Sequence, residues 1–201
     1  MTHCIGILVF EQVEVLDFAG PYEVFTTASR LHARAQPTAP ALFRVCTIGR
    51  SSAPLRARAG LSVFPDYDFS NHPPIDILVI PGGMVTEELA RPDVTRWIAR
   101  CSTRSEITAS VCTGAFLLAQ AGLLAGKSVT THWEDIADLR TMFPALNVLS
   151  DRRWVDEGRI VTSAGISAGI DMSLHLVERI AGRDLAERTA RQMEFDWTEN
   201  A

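Results

Sequence analysis

Four short runs of almost continuously apolar residues constrain this chain more than anything else in it. They are Ile5-Gly6-Ile7-Leu8-Val9-Phe10, the stretch from Leu42 to Gly49, Ile75-Asp76-Ile77-Leu78-Val79-Ile80, and Glu106-Ile107-Thr108-Ala109-Ser110-Val111. A strand with one wet face alternates apolar and polar residues. A run that is apolar at both parities has to be covered on both faces, which is the situation of a strand inside a parallel sheet. Stretches of helical periodicity separate the runs, at about residues 20 to 32, 86 to 101, 113 to 122 and 133 to 142, and two more follow at about 165 to 181 and 184 to 196. Strand and helix in alternation predict an α/β fold, with a parallel sheet sandwiched between helices. Two segments break the rhythm. Leu61 to Phe64 is short and isolated, and Arg153 to Thr162 reads as a small β-hairpin turning at Glu157-Gly158. Arg34 to Pro40, with two prolines, is a surface loop. With no internal repeat and 201 residues, one domain over 1–201 is expected.

Composition narrows the function classes. Apolar residues make up 47% and charged residues 21%, and 19 basic against 24 acidic residues leave a net charge of -5. A nucleic-acid partner ordinarily needs a basic face, so none is expected. Met1-Thr2-His3-Cys4-Ile5 has no basic lead into a long apolar segment, and no run approaches 18 apolar residues. A cytoplasmic chain with no signal peptide and no membrane span is the expectation. The four cysteines, at 4, 46, 101 and 112, are irregularly spaced and read as free thiols in a reducing compartment.

Cys112 is the residue most suited to chemistry. It ends the fourth apolar run and precedes Thr113-Gly114-Ala115-Phe116-Leu117-Leu118-Ala119, a helix apolar nearly all round. Ser110, Thr113 and Gly114 are small enough to allow a sharp strand-to-helix turn, the nucleophile elbow with cysteine in place of serine. A helix N-terminus behind the sulfur predicts a thiol of low pKa. Pro81-Gly82-Gly83 ends another run; it is either a plain turn or, beside Cys112, a source of backbone N–H donors for a developing anion. Asp17, in Val15-Leu16-Asp17-Phe18-Ala19-Gly20-Pro21, is either a helix N-cap or a carboxyl at the same sheet end as Cys112, protonated by its apolar surroundings. His132, in Thr130-Thr131-His132-Trp133, is open to three roles: general base, hydrogen-bond partner or structural histidine.

Other motifs fail on spacing. His132-Trp133-Glu134 has the H-x-E shape of a zinc deaminase, but no P-C-x-x-C follows. No H-E-x-x-H or C-x-x-C is present, so neither metal nor other cofactor is expected. Gly122-Leu123-Leu124-Ala125-Gly126-Lys127-Ser128 has three residues between its glycines where a phosphate loop needs four, and it lies after a helix instead of before one. Cys4, Cys46 and Cys101 read as inert thiols, and Asp171 as a local structural partner.

Asp17 with Gly20-Pro21, Pro81-Gly82-Gly83, Ser110-Val111-Cys112-Thr113-Gly114, Thr131-His132-Trp133, and Thr162-Ser163-Ala164-Gly165 with Gly169-Ile170-Asp171 occur in that order. Together they resemble the ThiJ/PfpI superfamily over about residues 4 to 197. The resemblance implies a flavodoxin-like sandwich similar to the class I glutamine amidotransferases, and commonly a homodimer. Within the superfamily the chain resembles isonitrile hydratases and the sensor domain of AraC-type regulators. The hydratase likeness implies that Cys112 attacks the isonitrile carbon, that Asp17 is its acid–base partner, and that the N–H groups of Gly83 and Thr113 line the site. Met84-Val85-Thr86-Glu87 differs from the small glycine-containing loop of the hydratases and is expected to border the substrate. A sensor without turnover, or a glyoxalase- or deglycase-type activity, is the alternative.

Overall fold

The computed structural model describes residues 1–198. Eleven strands are found among them: β1 His3–Leu8, β2 Phe43–Gly49, β3 Leu55–Arg56, β4 Ser62–Val63, β5 Tyr67–Asp68, β6 Ile77–Ile80, β7 Ile107–Val111, β8 Ser128–Val129, β9 Asn147–Val148, β10 Trp154–Asp156 and β11 Ile160–Ser163. The helices are α1 Val15–Ala35, α2 Thr86–Leu89, α3 Pro92–Arg104, α4 Gly114–Gln120, α5 Ile136–Met142, α6 Ala168–Ala181 and α7 Arg183–Gln192. Seven strands form one sheet in the order β10-β11-β7-β6-β1-β2-β5, parallel except for β10. The expected hairpin is β10–β11, with Gly158 at φ 81° in its turn.

The apolar runs are explained by the two cores they feed. In β6, Ile77 and Val79 enter a cluster with Val24 and Phe25 of α1 and Leu174 of α6, while Leu78 and Ile80 enter another with Trp97 of α3 and Leu117 of α4. Side chains alternate along a strand, so a strand between two helical layers needs apolar residues at both parities.

Register fixes where the strands deliver their next residues. Ile80 lies beside Ser110, and Ser110 beside Thr162, so Gly82, Cys112 and Ala164 leave the sheet at the same level. After β1 the chain goes outward to β2 and then returns to β6 on the other side of β1. The crevice at such a reversal, beyond the carboxyl ends of the strands, is where open α/β sheets bind ligands.

Several boundaries differ from expectation. The stretch 86 to 101 is two helices, because Pro92 has no N–H to continue the first; Arg91 is extended there (φ -102°, ψ 101°) and Pro92 opens α3. Helix α1 begins at Val15, not near residue 20, and carries Pro21 inside it. The helix expected from 133 opens with a 3-10 turn over Trp133–Asp135 before α5. Around the isolated Leu61–Phe64 segment, β4 pairs antiparallel with β3 to make a small ribbon.

Candidate active site

Cys112 follows β7 directly, in the left-handed region at φ 55°. The turn closes because Gly114, the next residue but one, packs onto the backbone of β6: a Cβ there would lie 2.1 Å from the Ile80 oxygen. Cys112 N–H donates to the carbonyls of Ser163 and Ala164 (3.2 Å each), and its own carbonyl accepts from the Thr131 hydroxyl (2.8 Å). The side chain is 8% exposed, at the floor of a cavity of about 310 Å³ lined also by Glu14, Arg58, Gly83, Thr113, His132, Glu134, Asp135 and Ile166.

Asp17 lies in the first turn of α1 and is fully buried. It is not the N-cap; Glu14 holds that position, without a side-chain cap. The Gly82 N–H donates to Asp17 Oδ2 (3.0 Å), while Oδ1 has no hydrogen-bond partner of ordinary geometry. Burial pushes the Asp17 carboxyl up to about 7, and its interactions with Gly82 and Cys112 moderate the rise. Burial first, and then the Asp17 charge, push the Cys112 thiol up to about 12; backbone hydrogen bonding from Thr113 and Ile166 opposes this.

Two expectations are corrected here. Cys112 is not a low-pKa thiol: α4 is only seven residues long, and desolvation outweighs what its first turn supplies. Both shifts favour the protonated forms, burial being the largest cause for each, and Asp17 is the one raised to about 7. The Gly82 and Gly83 N–H groups are not free for an anion either. Gly82 serves Asp17, and Gly83 donates to Thr113 Oγ1 (2.9 Å), whose hydroxyl in turn donates to the Gly83 carbonyl (2.9 Å). What the glycines supply is room. A Cβ on Gly82 would meet Thr113 N and Oγ1 at 2.6 Å and Asp17 Oδ2 at 2.9 Å, and one on Gly83 would meet the Gln12 carbonyl at 2.3 Å.

His132 caps the 3-10 turn, accepting from the Glu134 N–H (3.4 Å) through Nδ1, which also lies 3.4 Å from Asp135 Oδ2. Its ring rests on Gly165, where a Cβ would come within 1.8 Å of Cδ2. Burial raises the Asp135 carboxyl, and His132 partly offsets this. The structure thus brings Cys112, Asp17, Gly82, Gly83, Thr113 and His132 to one sheet end.

Sequence reasoning missed Glu14, Arg58 and Ile166. Arg58 sits on the turn between β3 and β4, its N–H donating to the Val13 carbonyl (3.0 Å) and its guanidinium lying 3.4 Å from Glu14. Ile166 is β-branched and yet held at φ 41°, strain of the sort concentrated at working sites. Asp171 is the structural partner expected, with Arg153 and the Thr198 N–H on its oxygens. All four cysteines are free. Burial raises Cys101 to about 11, whereas the neighbouring Cys46 thiol lowers Cys4. Among the described residues no cluster of His, Cys, Asp and Glu is placed to hold a metal ion, and no helix is long and apolar enough to cross a membrane.

Known proteins give this arrangement a setting. Isonitrile hydratase of Pseudomonas putida is 32% identical over 193 residues, covering 95% of this chain and 78% of the relative. The HTH-type transcriptional regulator GbdR of Pseudomonas aeruginosa is 30% identical over 197 residues, and there the chain spans only about half of the relative, 52%. A ThiJ/PfpI family protein from Pseudomonas syringae superposes with a TM-score of 0.85 at 26% identity, covering 99% of this chain and 77% of that one. The DJ-1/PfpI family model matches residues 3–179, and the chain belongs to the DJ-1/PfpI family.

Proposed function

We propose that this chain is a cysteine-dependent hydratase that adds water to an isonitrile to give an N-substituted formamide, with Cys112 as nucleophile and Asp17 as proton carrier. The observation that carries the reading is the buried Cys112–Asp17 pair, a thiol on a strained elbow beside a carboxyl with one unpartnered oxygen. The likeness to isonitrile hydratase supports the substrate class.

The terminal carbon of an isonitrile already carries a lone pair; attack by a nucleophile moves a π pair onto nitrogen and leaves that carbon an imidoyl anion, so it needs a proton at once. In the proposed cycle the Asp17 carboxylate takes the thiol proton as the carbon–sulfur bond forms, then delivers that proton to the carbon, leaving a thioimidate on Cys112. Water adds to the same carbon, one of its protons reaching nitrogen. The carbon–sulfur bond then breaks as the carbonyl forms, and the hydroxyl proton returns to sulfur through Asp17. One isonitrile and one water enter, one formamide leaves, and no electrons change hands. Asp17, with its pKa near working pH, suits both directions of transfer. His132 and Thr113 line the cavity and are assigned to substrate binding, with Gly83 on its wall and Gly82 holding Asp17 from behind it.

The test is turnover of cyclohexyl isonitrile, with methylglyoxal in parallel, by the parent and by Cys112→Ala. Formamide from the parent and none from the variant is expected. Consumption of methylglyoxal alone would replace the hydratase with a glyoxalase-type activity.

A second reading has its own support. GbdR matches across 98% of this chain, which favours a ligand-sensing role without turnover if neither substrate is consumed. Either reading carries the expectation of a homodimer in a reducing, cytoplasmic compartment, consistent with four free thiols. Sedimentation showing only monomer at micromolar concentration would remove the dimer.

A further inference from the structure

Helix α3 carries arginine at 96, 100 and 104, each a helical turn from the next and all exposed. Like charges at that spacing repel, and the only acid of the helix, Asp93, is taken by Arg50 at 2.6 Å. None of the three guanidiniums has a hydrogen bond or ion pair among the described residues, whereas Arg91, just before the helix, pairs with Glu87 and Glu88. Nor does the helix end need them. The Cys101 carbonyl accepts from the Ser105 hydroxyl (3.0 Å), and the Ser102 carbonyl from Arg159 (3.3 Å).

Arg100 and Arg104, with Cys101 beside them, line a cavity of about 350 Å³ between α3 and the loop from β5 to β6. The cavity lies where β6 and β7 begin, at the opposite end of the sheet from Cys112. Phe69, Pro73, Pro74 and Ile75 give it an apolar wall. That wall is braced. Phe69 stacks on Trp97 with 4.3 Å between ring centroids, Trp97 Nε1–H donates to His72 Nε2 (3.1 Å), and His72 Nδ1 lies 2.8 Å from the Pro73 carbonyl. His72, also in the lining, thus has both ring nitrogens engaged. Ser70 and Asp76 complete it, Asp76 Oδ2 accepting from the Cys4 N–H (2.7 Å). One carboxylate against two unpaired guanidiniums leaves a positive mouth beside a hydrocarbon wall.

We propose that this cavity binds a small phosphomonoester, its dianionic phosphate between Arg100 and Arg104 at the mouth and a single-ring body against Phe69, Pro73 and Pro74. A guanidinium meets phosphate through paired N–H donors, and two of them match two charges. The volume is at the lower end of the range for small-molecule sites. Chemistry at Cys112 plays no part in it, so the site stands or falls apart from the hydratase reading.

Calorimetric titration with phenyl phosphate, inorganic phosphate and phenol tests this on the parent, Arg100→Gln, Arg104→Gln and the double variant. Arg191→Gln, away from the cavity, and Arg58→Gln, beside Cys112, are the controls. The Trp97 indole N–H resonance, followed by NMR in the same titrations, reports occupancy of this cavity and no other, since that N–H is bonded to its lining. Melting temperatures are recorded throughout.

Phenyl phosphate should bind the parent saturably and shift the Trp97 resonance with the same Kd, more weakly as salt is raised. Each single glutamine should weaken it about tenfold, the low end for a hydrogen bond to a charged group, and the double variant should abolish it. Inorganic phosphate should bind about fivefold more weakly than phenyl phosphate, as for half burial of a ring, and phenol not measurably. The variants should melt no lower than the parent, since a like-charge pair is relieved; a fall of several degrees would make the arginines structural and overturn the site. Parental affinity in the double variant, or binding lost only in Arg58→Gln or Arg191→Gln, overturns it as well. Equal affinity for inorganic and phenyl phosphate overturns the ester in favour of free phosphate.

Discussion

Two aspartates, Asp17 and Asp171, are both fully buried and both lie in the first turn of a helix on the same side of the sheet. Burial raises the pKa of each. Their partners differ. Asp171 has the Arg153 guanidinium on one oxygen and the Thr198 N–H, at 2.8 Å, on the other. Asp17 has the Gly82 N–H on one oxygen, the other being left to face the thiol's surroundings without a hydrogen bond. A buried carboxyl with every oxygen engaged has its proton inventory fixed by structure. One that is half engaged has a low cost for gaining or losing a proton, and that is what proton transfer at pH 7 requires.

The sharpest way to break the comparison is Asp17→Asn, which keeps an acceptor for Gly82 but cannot carry a proton. Isonitrile turnover should fall by ~10²–10⁴, the usual worth of a positioned acid–base group. In the parent, kcat/KM should rise with pH through about 7 as Asp17 ionises, and that rise should vanish in the variant. A variant with parental rate and parental pH profile would make Asp17 as structural as Asp171.

Stability supplies the next test. Below about pH 3.8 Asp17 is protonated in both folded and unfolded chains. Between there and about 7 the unfolded chain ionises while the folded one holds its proton, so the folded state loses relative stability as pH rises, and above 7 the loss is constant. A carboxyl raised from 3.8 to about 7 costs the folded state at most about 4 kcal/mol at that plateau. Asp17→Asn should therefore melt higher than the parent at pH 8 and nearly with it at pH 4. Equal melting temperatures at pH 8 would mean that Asp17 is not desolvated.

Asp171→Asn should shift stability less in denaturant melts. Burial raises this carboxyl too, but Arg153 and the Thr198 N–H offset part of the rise, so losing the charge relieves less desolvation and at the same time leaves Arg153 with a weaker partner. Turnover per folded molecule should survive; if it falls as far as in Asp17→Asn, the division between the two acids is wrong. The smallest effect belongs to Gly165→Ala. The added methyl would displace the His132 ring, and a loss of turnover within about tenfold is expected for a group that orients substrate without carrying its proton.

How much of this was legible in the sequence follows from how local each signal is. Cys112 was legible because strand, small residues and apolar helix adjoin it in the chain. The parallel sheet was legible because Ile77-Leu78-Val79-Ile80 is apolar at both parities. The upward push on the Cys112 thiol was not, since it depends on the burial of Asp17 and Cys112 together, which no local pattern reports. Arg58 reaches the cavity through a ribbon of two-residue strands, too short for periodicity to register, and Ile166 enters through its backbone, where residue type says nothing. The pairing of Gly83 with Thr113 was hidden for the same reason: it is a contact between segments 30 residues apart.

The two ends of the sheet have a bearing on assembly. One outermost strand, β5, is two residues long, and the other, β10, is three and runs against its neighbour. Neither exposes a ladder of free peptide groups long enough to template an incoming chain, the liability that long flat edges carry. Self-association by continuing the sheet from one molecule into the next is closed to this protein at both margins. A second copy would have to be met through side chains, on helical or ribbon surfaces, and whether such a pairing closes or propagates then turns on whether the two molecules offer each other the same patch.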